Sequence, residues 1–137
     1  MEKLNLKVVT PDSAPVSDRV DCIQVKTRDG YISILPHHMS LLANVEASVL
    51  TVVKDGKQIH FAAGDGALYV DGAENSATLI LQYLIPAKDI SLVRAESEAQ
   101  SAEQRLKSAA SKEEQRSASR DLTKAKSLID ISKAFKE

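Results

Sequence analysis

The sequence has 137 residues with 18 basic and 19 acidic side chains, so its formal charge of −1 lacks the basic surplus with which nucleic-acid-binding proteins neutralise phosphates. Its single cysteine excludes an intramolecular disulfide bond and a multi-cysteine zinc site. It contains no apolar run of the roughly 20 residues that span a bilayer, and its first residues do not resemble a secretion signal. We therefore expect a soluble protein of a reducing compartment.

Glycine and proline divide the chain into two regions. All five glycines and all four prolines lie in residues 1–86, whereas residues 87–137 contain neither. Frequent Gly and Pro are typical of short strands joined by turns, and a long stretch without them is typical of helices. We therefore predict an α+β protein, with an antiparallel β-sandwich or flattened barrel at residues 1–86 and an antiparallel two-helix hairpin at residues 87–137.

The first region contains short β-branched runs separated by turn residues. Asp29-Gly30 and Asp55-Gly56 predict tight hairpins, because these residue pairs tolerate the positive φ of such turns. About eight strands are expected, and since no helix separates them they should form antiparallel sheets. The strands predicted from apolar alternation are at residues 4–9, 22–27, 31–35, 49–53, 58–63, 67–70 and 77–84.

Several residues that often carry chemistry lack the surroundings that the chemistry needs. Gly64-Asp65-Gly66 lies between strands without a helix N-terminus for an anion, so we interpret it as a turn. His37 and His38 are neighbours in an extended segment and would point to opposite sides, which does not suit one shared metal. Cys22 is expected to be a small buried strand residue. We predict no catalytic residue and no metal site.

The second region has the apolar spacing of two amphipathic helices. The link at residues 109–111 is so short that the helices must be antiparallel. Asp89 is the predicted N-cap of the first helix, and Ser111 with Glu114 predicts a capping box at the start of the second. The predicted seam recurs at spacings of three and four: Leu92, Ala95, Ala99, Ala102, Leu106 and Ala109, then Ala118, Leu122, Ala125 and Ile129.

Alanine dominates this seam, so the hairpin buries little apolar surface at roughly 0.8 kcal/mol per buried CH₂ group. The nine serines of residues 87–137 weaken the helices further, by about half a kcal/mol each relative to alanine. We hypothesise that the hairpin is a movable arm. Hydrogen exchange as slow in the arm as in the core strands would contradict this.

The final helix carries basic residues that would form an edge for an acidic partner. An ordinary solvated helix face is the alternative interpretation. The helix has only Phe135 for stacking on single-stranded nucleic acid, and the chain has no Trp. The basic residues are Arg116, Arg120, Lys124, Lys126, Lys133 and Lys136.

Three segments carry a family resemblance: Leu-Lys-Val-Val-Thr-Pro-Asp at residues 6–12, Gly-Tyr-Ile-Ser-Ile-Leu-Pro-His-His-Met-Ser-Leu-Leu at 30–42 and Gly-Asp-Gly-Ala-Leu-Tyr-Val at 64–70. In their order and spacing, and with two helices after them, they make the chain similar to the epsilon subunits of bacterial and chloroplast F-type ATP synthase. The resemblance covers essentially the whole length.

The chain departs from the family pattern in two places. Ser33, His37 and Ser40 replace two glycines and a proline of the usual Gly-Ile-Leu-Pro-Gly-His-x-Pro-Leu-Leu, so the loop should be stiffer in some places and looser in others. Many relatives also carry Ile/Leu-Asp-x-x-Arg-Ala, a segment associated with ATP binding by the folded hairpin. The resemblance implies a regulatory ATP at Arg94 and Ser91, but Ser91 replaces the carboxylate, so we expect no cofactor.

The resemblance implies a non-catalytic part of a rotary motor. Its sandwich would contact the gamma subunit and the proton- or sodium-carrying ring of c subunits. The extended arm would reach the alpha/beta catalytic head, where its basic helix would meet acidic beta loops and block ATP hydrolysis. No nucleic acid is implied, and membrane association would come only through the complex, at the cytoplasmic face of a bacterial inner membrane. The residues matching the family's ring-facing turn are Arg28, Asp29, Gly30, Tyr31, His37 and His38.

Two other functions are weaker alternatives. A coiled-coil-hairpin adaptor or chaperone-like binding protein would share the arm but not the three sandwich segments. A small β-barrel enzyme would need a polar constellation that the sequence lacks. Co-purification with gamma favours the motor subunit, binding of unrelated helices favours the adaptor, and substrate turnover favours the enzyme.

Overall fold

The computed structural model describes residues 2–135, which divide after Pro86 into two compact units. Within these residues, the first unit contains ten strands, and the second contains a 3₁₀ turn at Ala87–Asp89 followed by two helices. Lys136, one of the six predicted basic residues, lies outside the described residues.

The strands are short and follow one another without an intervening helix. They are β1 (Leu4–Val9), β2 (Val16–Val20), β3 (Cys22–Thr27), β4 (Gly30–Ile34), β5 (Leu41–Val45), β6 (Ser48–Lys54), β7 (Lys57–Ala63), β8 (Gly66–Asp71), β9 (Ser76–Leu81) and β10 (Leu84–Pro86). The helices are α1 (Leu92–Lys107) and α2 (Lys112–Ala134).

The ten strands form two layers of five. One layer has the order β10-β7-β6-β3-β4 and the other β5-β8-β9-β1-β2, and the pair Thr27–Val45 joins β3 to β5. The strand pairs are antiparallel except for β1 and β9, which run parallel. The predicted antiparallel sandwich is therefore confirmed with one exception, in which the first strand lies beside a strand from the far end of the unit.

The core lies between the inward faces of the two layers. Period-two alternation places Leu4, Leu6 and Val8 of β1 inside, as predicted, while Asn5 and Lys7 face outward. The other fully buried large side chains are Ile23, Ile34, Leu50, Leu68, Leu79, Val20, Val25 and Val70.

The helix caps differ in detail from those predicted. Asp89 is not the N-cap of α1, because it ends the 3₁₀ turn. The N-cap is Ser91, which has an extended backbone and whose Oγ accepts the backbone amide of Arg94. Ser111 caps α2 as predicted, accepting the amide of Glu114 at 3.1 Å. The Glu114 carboxylate accepts the amide of Ala110 at 2.9 Å, one residue before the position that a capping box predicts.

The predicted hairpin seam is confirmed. The residues of α1 that are not exposed are all predicted seam residues. In α2 the four predicted positions are at least partly buried, and Leu128 and Ile131 are buried in addition. An ion pair between Arg105 Nη2 and Asp121 Oδ2, 2.7 Å apart, joins the two helices.

Candidate interaction surfaces

The outer face of the β5-β8-β9-β1-β2 layer presents an apolar patch to solvent. Leu42, Tyr69 and Ile80 are 75%, 51% and 55% exposed, which is unusual for large apolar strand residues. Leu42 lies directly opposite Tyr69 on the neighbouring strand, and Ile80 lies diagonally across from Tyr69, two residues beyond its partner Thr78. We call these three residues the apolar patch.

Sequence reasoning missed the apolar patch, although a signal for it exists. Antiparallel strands with one solvated face normally alternate apolar and polar residues. In β8 and β9 that alternation fails, since Leu68-Tyr69-Val70 and Leu79-Ile80-Leu81 are apolar on both faces. The failure of alternation at these positions marks an outward face that is suited to a partner.

The structure places the predicted ring-facing residues in two groups rather than one. The β3–β4 turn is held by Thr27, whose hydroxyl accepts the Asp29 amide and donates to the Gly30 carbonyl, and it leaves Tyr31 exposed. His37 and His38 lie in the 35–40 loop, which follows the opposite end of β4. The two groups are therefore separated by the length of β4, roughly 13 Å at 3.3 Å per residue.

The 35–40 loop is bonded to neighbouring segments at two of the positions where the chain departs from the family pattern. His37 has a φ of 65° and contacts Glu2 through its Nε2 atom. The Ser40 hydroxyl accepts the Gly72 amide at 3.0 Å. The expected looseness is thus offset at these positions, and Met39 remains 77% exposed between them.

The basic residues of α2 are spread around roughly half of the helix. Arg116, Arg120 and Lys124 are four residues apart and form one slanted row, each about 40° further around than the residue before it, and Lys112, outside the predicted set, begins the same row. Lys126 and Lys133 lie roughly 80–140° around the helix from Arg116 and Arg120. We call the first four residues the basic column; all four are exposed.

The positions that would hold a regulatory ATP are engaged within α1. The Ser91 hydroxyl is the N-cap acceptor, and Arg94 Nε lies 3.2 Å from Glu98 Oε1. Both side chains are on the surface. An ATP phosphate would have to compete with Glu98 for Arg94, in the absence of the family carboxylate at position 91.

Two ionic clusters connect the ends of strands in the sandwich. Lys3 contacts Asp21 and Asp55, and its hydrogen bonds to these carboxylates raise its pKa above the usual value. The hydrogen bond from Lys3 lowers the pKa of Asp21, and the hydrogen bond from Lys54 lowers the pKa of Asp18. These groups join the start of β1, the edge strand β2 and the β6–β7 turn.

Other chemistry-bearing residues are dispersed. Cys22 is partly buried in β3, and burial raises the pKa of its thiol. Across residues 2–135 there is no group of three His, Cys, Asp or Glu side chains placed to hold a metal ion. None of the helices in this part of the chain has the length and apolar character needed to cross a membrane.

A ten-stranded sandwich and a two-helix unit, with an apolar sheet face and a basic helix column, define a small two-part protein whose surfaces suit contacts with other proteins. Residues 3–82 match the family model described as the beta-sandwich domain of the ATP synthase delta/epsilon chain. The chain therefore belongs to the family of F-type ATP synthase epsilon subunits, which confirms the resemblance carried by the three segments.

Curated relatives support this assignment over most of the chain. An ATP synthase epsilon chain of Roseiflexus sp. (strain RS-1) is 36% identical over 93 residues, a match that spans 68% of this chain and 66% of that relative, slightly under two thirds of its length. An ATP synthase epsilon chain of Halalkalibacterium halodurans is 32% identical over 109 residues, or 80% of each chain.

Solved structures show the same fold. A chain in the OSCP/F1/c-ring structure of the Euglena gracilis mitochondrial ATP synthase has a TM-score of 0.67 and 13% identity, covering 97% of this chain and 79% of that chain. A chain in the central stalk/c-ring structure of the Tetrahymena thermophila mitochondrial ATP synthase has a TM-score of 0.61 and 14% identity, covering 96% and 97%. At such low identity the likeness concerns the fold.

Proposed function

We propose that the chain is a non-catalytic central-stalk subunit of a rotary ATP synthase, which couples gamma to the c-ring and inhibits ATP hydrolysis by extending its helices. It would take part in ATP synthesis and ion transport only as a component of the complex, peripheral to the cytoplasmic face of a bacterial inner membrane. The main support is the family match across residues 3–82, followed by two helices with an alanine-rich seam.

The apolar patch is the proposed contact for gamma. Aromatic and large apolar side chains at the centre of an interface supply most of its binding energy, and Tyr69 lies between Leu42 and Ile80. A Tyr69→Ser variant should weaken gamma binding by about fivefold or more, since such central residues contribute more than about 1 kcal/mol. Lys7→Ser, a change on the polar part of the same sheet face, is the matched control and should leave the affinity nearly unchanged.

The c-ring contact is proposed for the β3–β4 turn and the 35–40 loop. Because the length of β4 separates them, the two segments would occupy different positions in the interface. Tyr31 and Met39 are the most exposed large apolar side chains of the two segments. Substituting each by Ser, in turn, should lower the fraction of c-ring retained with the gamma complex.

The inhibitory contact is proposed for the basic column of α2. Four cations along roughly 18 Å of helix match an acidic surface such as the proposed beta loops. The buried seam positions from Ala95 to Ala125 are alanines, which supports the movable arm because their separation exposes little apolar surface; the larger buried side chains, Leu128 and Ile131, lie near the end of α2.

The test compares two charge reversals and one deletion in the reconstituted enzyme. Deleting residues 88–137 should leave the complex assembled and raise its ATP hydrolysis rate. Arg116→Glu with Arg120→Glu should reproduce that increase, whereas Lys126→Glu with Lys133→Glu, roughly 80–140° further around α2, should not. Unchanged hydrolysis after the deletion would remove the inhibitory role, and equal effects of both reversals would remove the role of the basic column.

A further inference from the structure

Asn75 joins three segments at one end of the sandwich. Its Oδ1 atom accepts the backbone amide of His37 at 2.7 Å, and its Nδ2 atom donates to the carbonyl of Lys3 at 2.8 Å. Its own carbonyl accepts both the backbone amide and the side-chain amide of Asn5, at 3.0 and 3.2 Å. The 71–75 turn, the start of β1 and the 35–40 loop therefore meet at this residue.

The two residues joined across this contact both have left-handed backbones. The φ angle is 65° at His37 and 51° at Asn75. Asparagine and histidine enter this region more readily than most residues, but any residue with a Cβ atom still loses about 1–2 kcal/mol there, a cost that glycine does not have. The left-handed conformation of His37 therefore needs support from its surroundings, and the bond from its amide to Asn75 supplies a specific one.

The packing between the 71–75 turn and the 35–40 loop is close. A Cβ atom on Gly72 would lie 2.9 Å from the His38 carbonyl oxygen and 3.3 Å from the Ser40 nitrogen. The Gly72 amide donates to the Ser40 hydroxyl in the same region. The main chains of the turn and the loop thus lie directly against each other, so a change at Asn75 acts on the loop at short range.

We infer that Asn75 is the positioning residue of the 35–40 loop. Its carboxamide oxygen holds the His37 amide and so maintains the left-handed backbone that directs the exposed Met39 away from the sandwich. This rests on the proposed function in so far as the loop contacts the c-ring. A glycine at position 37, which the family pattern has, would adopt this backbone without the support, so the need for Asn75 arises from His37.

No simple replacement preserves both bonds of the carboxamide. Aspartate keeps an acceptor for the His37 amide but turns a carboxylate toward the Lys3 carbonyl. Glycine tolerates the positive φ at position 75 but makes neither bond, and alanine loses both bonds and disfavours the φ. Substitutions at position 75 can therefore separate the bond to the His37 amide from the bond to the Lys3 carbonyl.

The experiment measures hydrogen exchange, urea unfolding and binding in the full chain. Asn75→Ala should speed exchange of the amides at positions 37–40 at least tenfold relative to wild type, while exchange in β3 and β6 changes only as far as global stability does. Asn75→Asp should keep loop exchange within about threefold of wild type. Should Asn75→Ala not fold, Asn75→Gly replaces it with the same expected direction.

The decisive comparison adds His37→Gly to the Asn75→Ala variant. Asn75→Ala alone should weaken binding to a purified gamma/c-ring subcomplex by about fivefold. Adding His37→Gly removes the need for a left-handed histidine, so the double variant should recover most of the slow amide exchange of the loop and most of that affinity. Unchanged loop exchange in Asn75→Ala, or no recovery on adding His37→Gly, overturns the inference. Failure of the wild-type chain to bind the subcomplex refutes the proposed function alone, because loop exchange and its recovery are measured without a partner.

Discussion

Substituting Gly66 by alanine tests how closely β8 and β9 approach each other. Gly66 begins β8 and lies opposite Leu81 of β9. A Cβ atom at this position would lie 1.8 Å from the carbonyl oxygen of Ile80, 2.8 Å from its carbonyl carbon and 3.0 Å from the Leu81 Cα atom. All three contacts are with main-chain atoms, so no side-chain rotation relieves them.

The expected cost follows from that geometry. Adding a methylene to a packed core typically destabilises by about 1–3 kcal/mol through side-chain and backbone shifts. Here the backbone of β9 must move by more than 1 Å to restore van der Waals contact, so we expect at least about 3 kcal/mol. Since domains of this size are stable by only about 5–15 kcal/mol, Gly66→Ala should remove a large part of the stability.

The assay is urea unfolding of the full chain followed by circular dichroism, with Gly56→Ala as the matched control. Gly56 has a φ of +78° in the β6–β7 turn and nothing within 4 Å of its added Cβ atom, so alanine there costs only about 1–2 kcal/mol for the left-handed backbone. The urea concentration at the unfolding midpoint should be lowest for Gly66→Ala, intermediate for Gly56→Ala and highest for wild type. Equal midpoints for the two variants would refute the reasoning from close approach.

Three other predictions concern separate parts of the chain. Because the pKa values of Asp18 and Asp21 are lowered in the folded state, their contribution to stability is complete above the unfolded-state pKa of about 3.9 and is lost as pH falls through the lower folded-state values. Asp21→Asn should therefore reduce the loss of stability that urea unfolding measures between about pH 4 and lower pH. Calorimetry with ATP should detect no saturable binding at millimolar concentration, and saturable binding that Arg94→Ala abolishes would contradict this. Ser111→Ala should destabilise α2 by about 1 kcal/mol, measured by hydrogen exchange of its first turn, whereas Ser117→Ala should not.

The strands that sequence reasoning found and missed differ in how they are buried. β1 was predicted because one of its faces is buried along its whole length. β2 was missed because it is an edge strand whose residues 16–19 are exposed, so that only Val20 reaches the core. β5 is absent from the predicted strands because Leu41-Leu42-Ala43 does not alternate apolar and polar residues. The parallel pairing of β1 with β9 depends on contacts across the whole unit, which local patterns do not encode.

The interaction surfaces, like the strands, could be predicted only where they depend on residues close together in the sequence. The cation spacing on α2 follows from the sequence once the helix is predicted, and 100° per residue separates Arg116 and Arg120 from Lys126 and Lys133 by roughly 80–140°. The role of Asn75 could not be predicted, because its side chain bonds to His37 and Lys3, which are 38 and 72 positions away in the chain. What local periodicity does determine is the alanine seam, whose positions the helices reproduce.

The basic column and the alanine seam act on the same stretch of α2. Like charges four residues apart destabilise a helix by about 0.2–0.5 kcal/mol per pair, so the two successive pairs from Lys112 to Arg120 cost about 0.4–1 kcal/mol together. The seam there consists of Ala118 and Ala125 with Leu122, which offset little of that cost by burial. An acidic partner would replace this repulsion with attraction. Added salt should therefore stabilise the free helix slightly and weaken the proposed inhibitory contact, whereas salt would not weaken an apolar contact in this way.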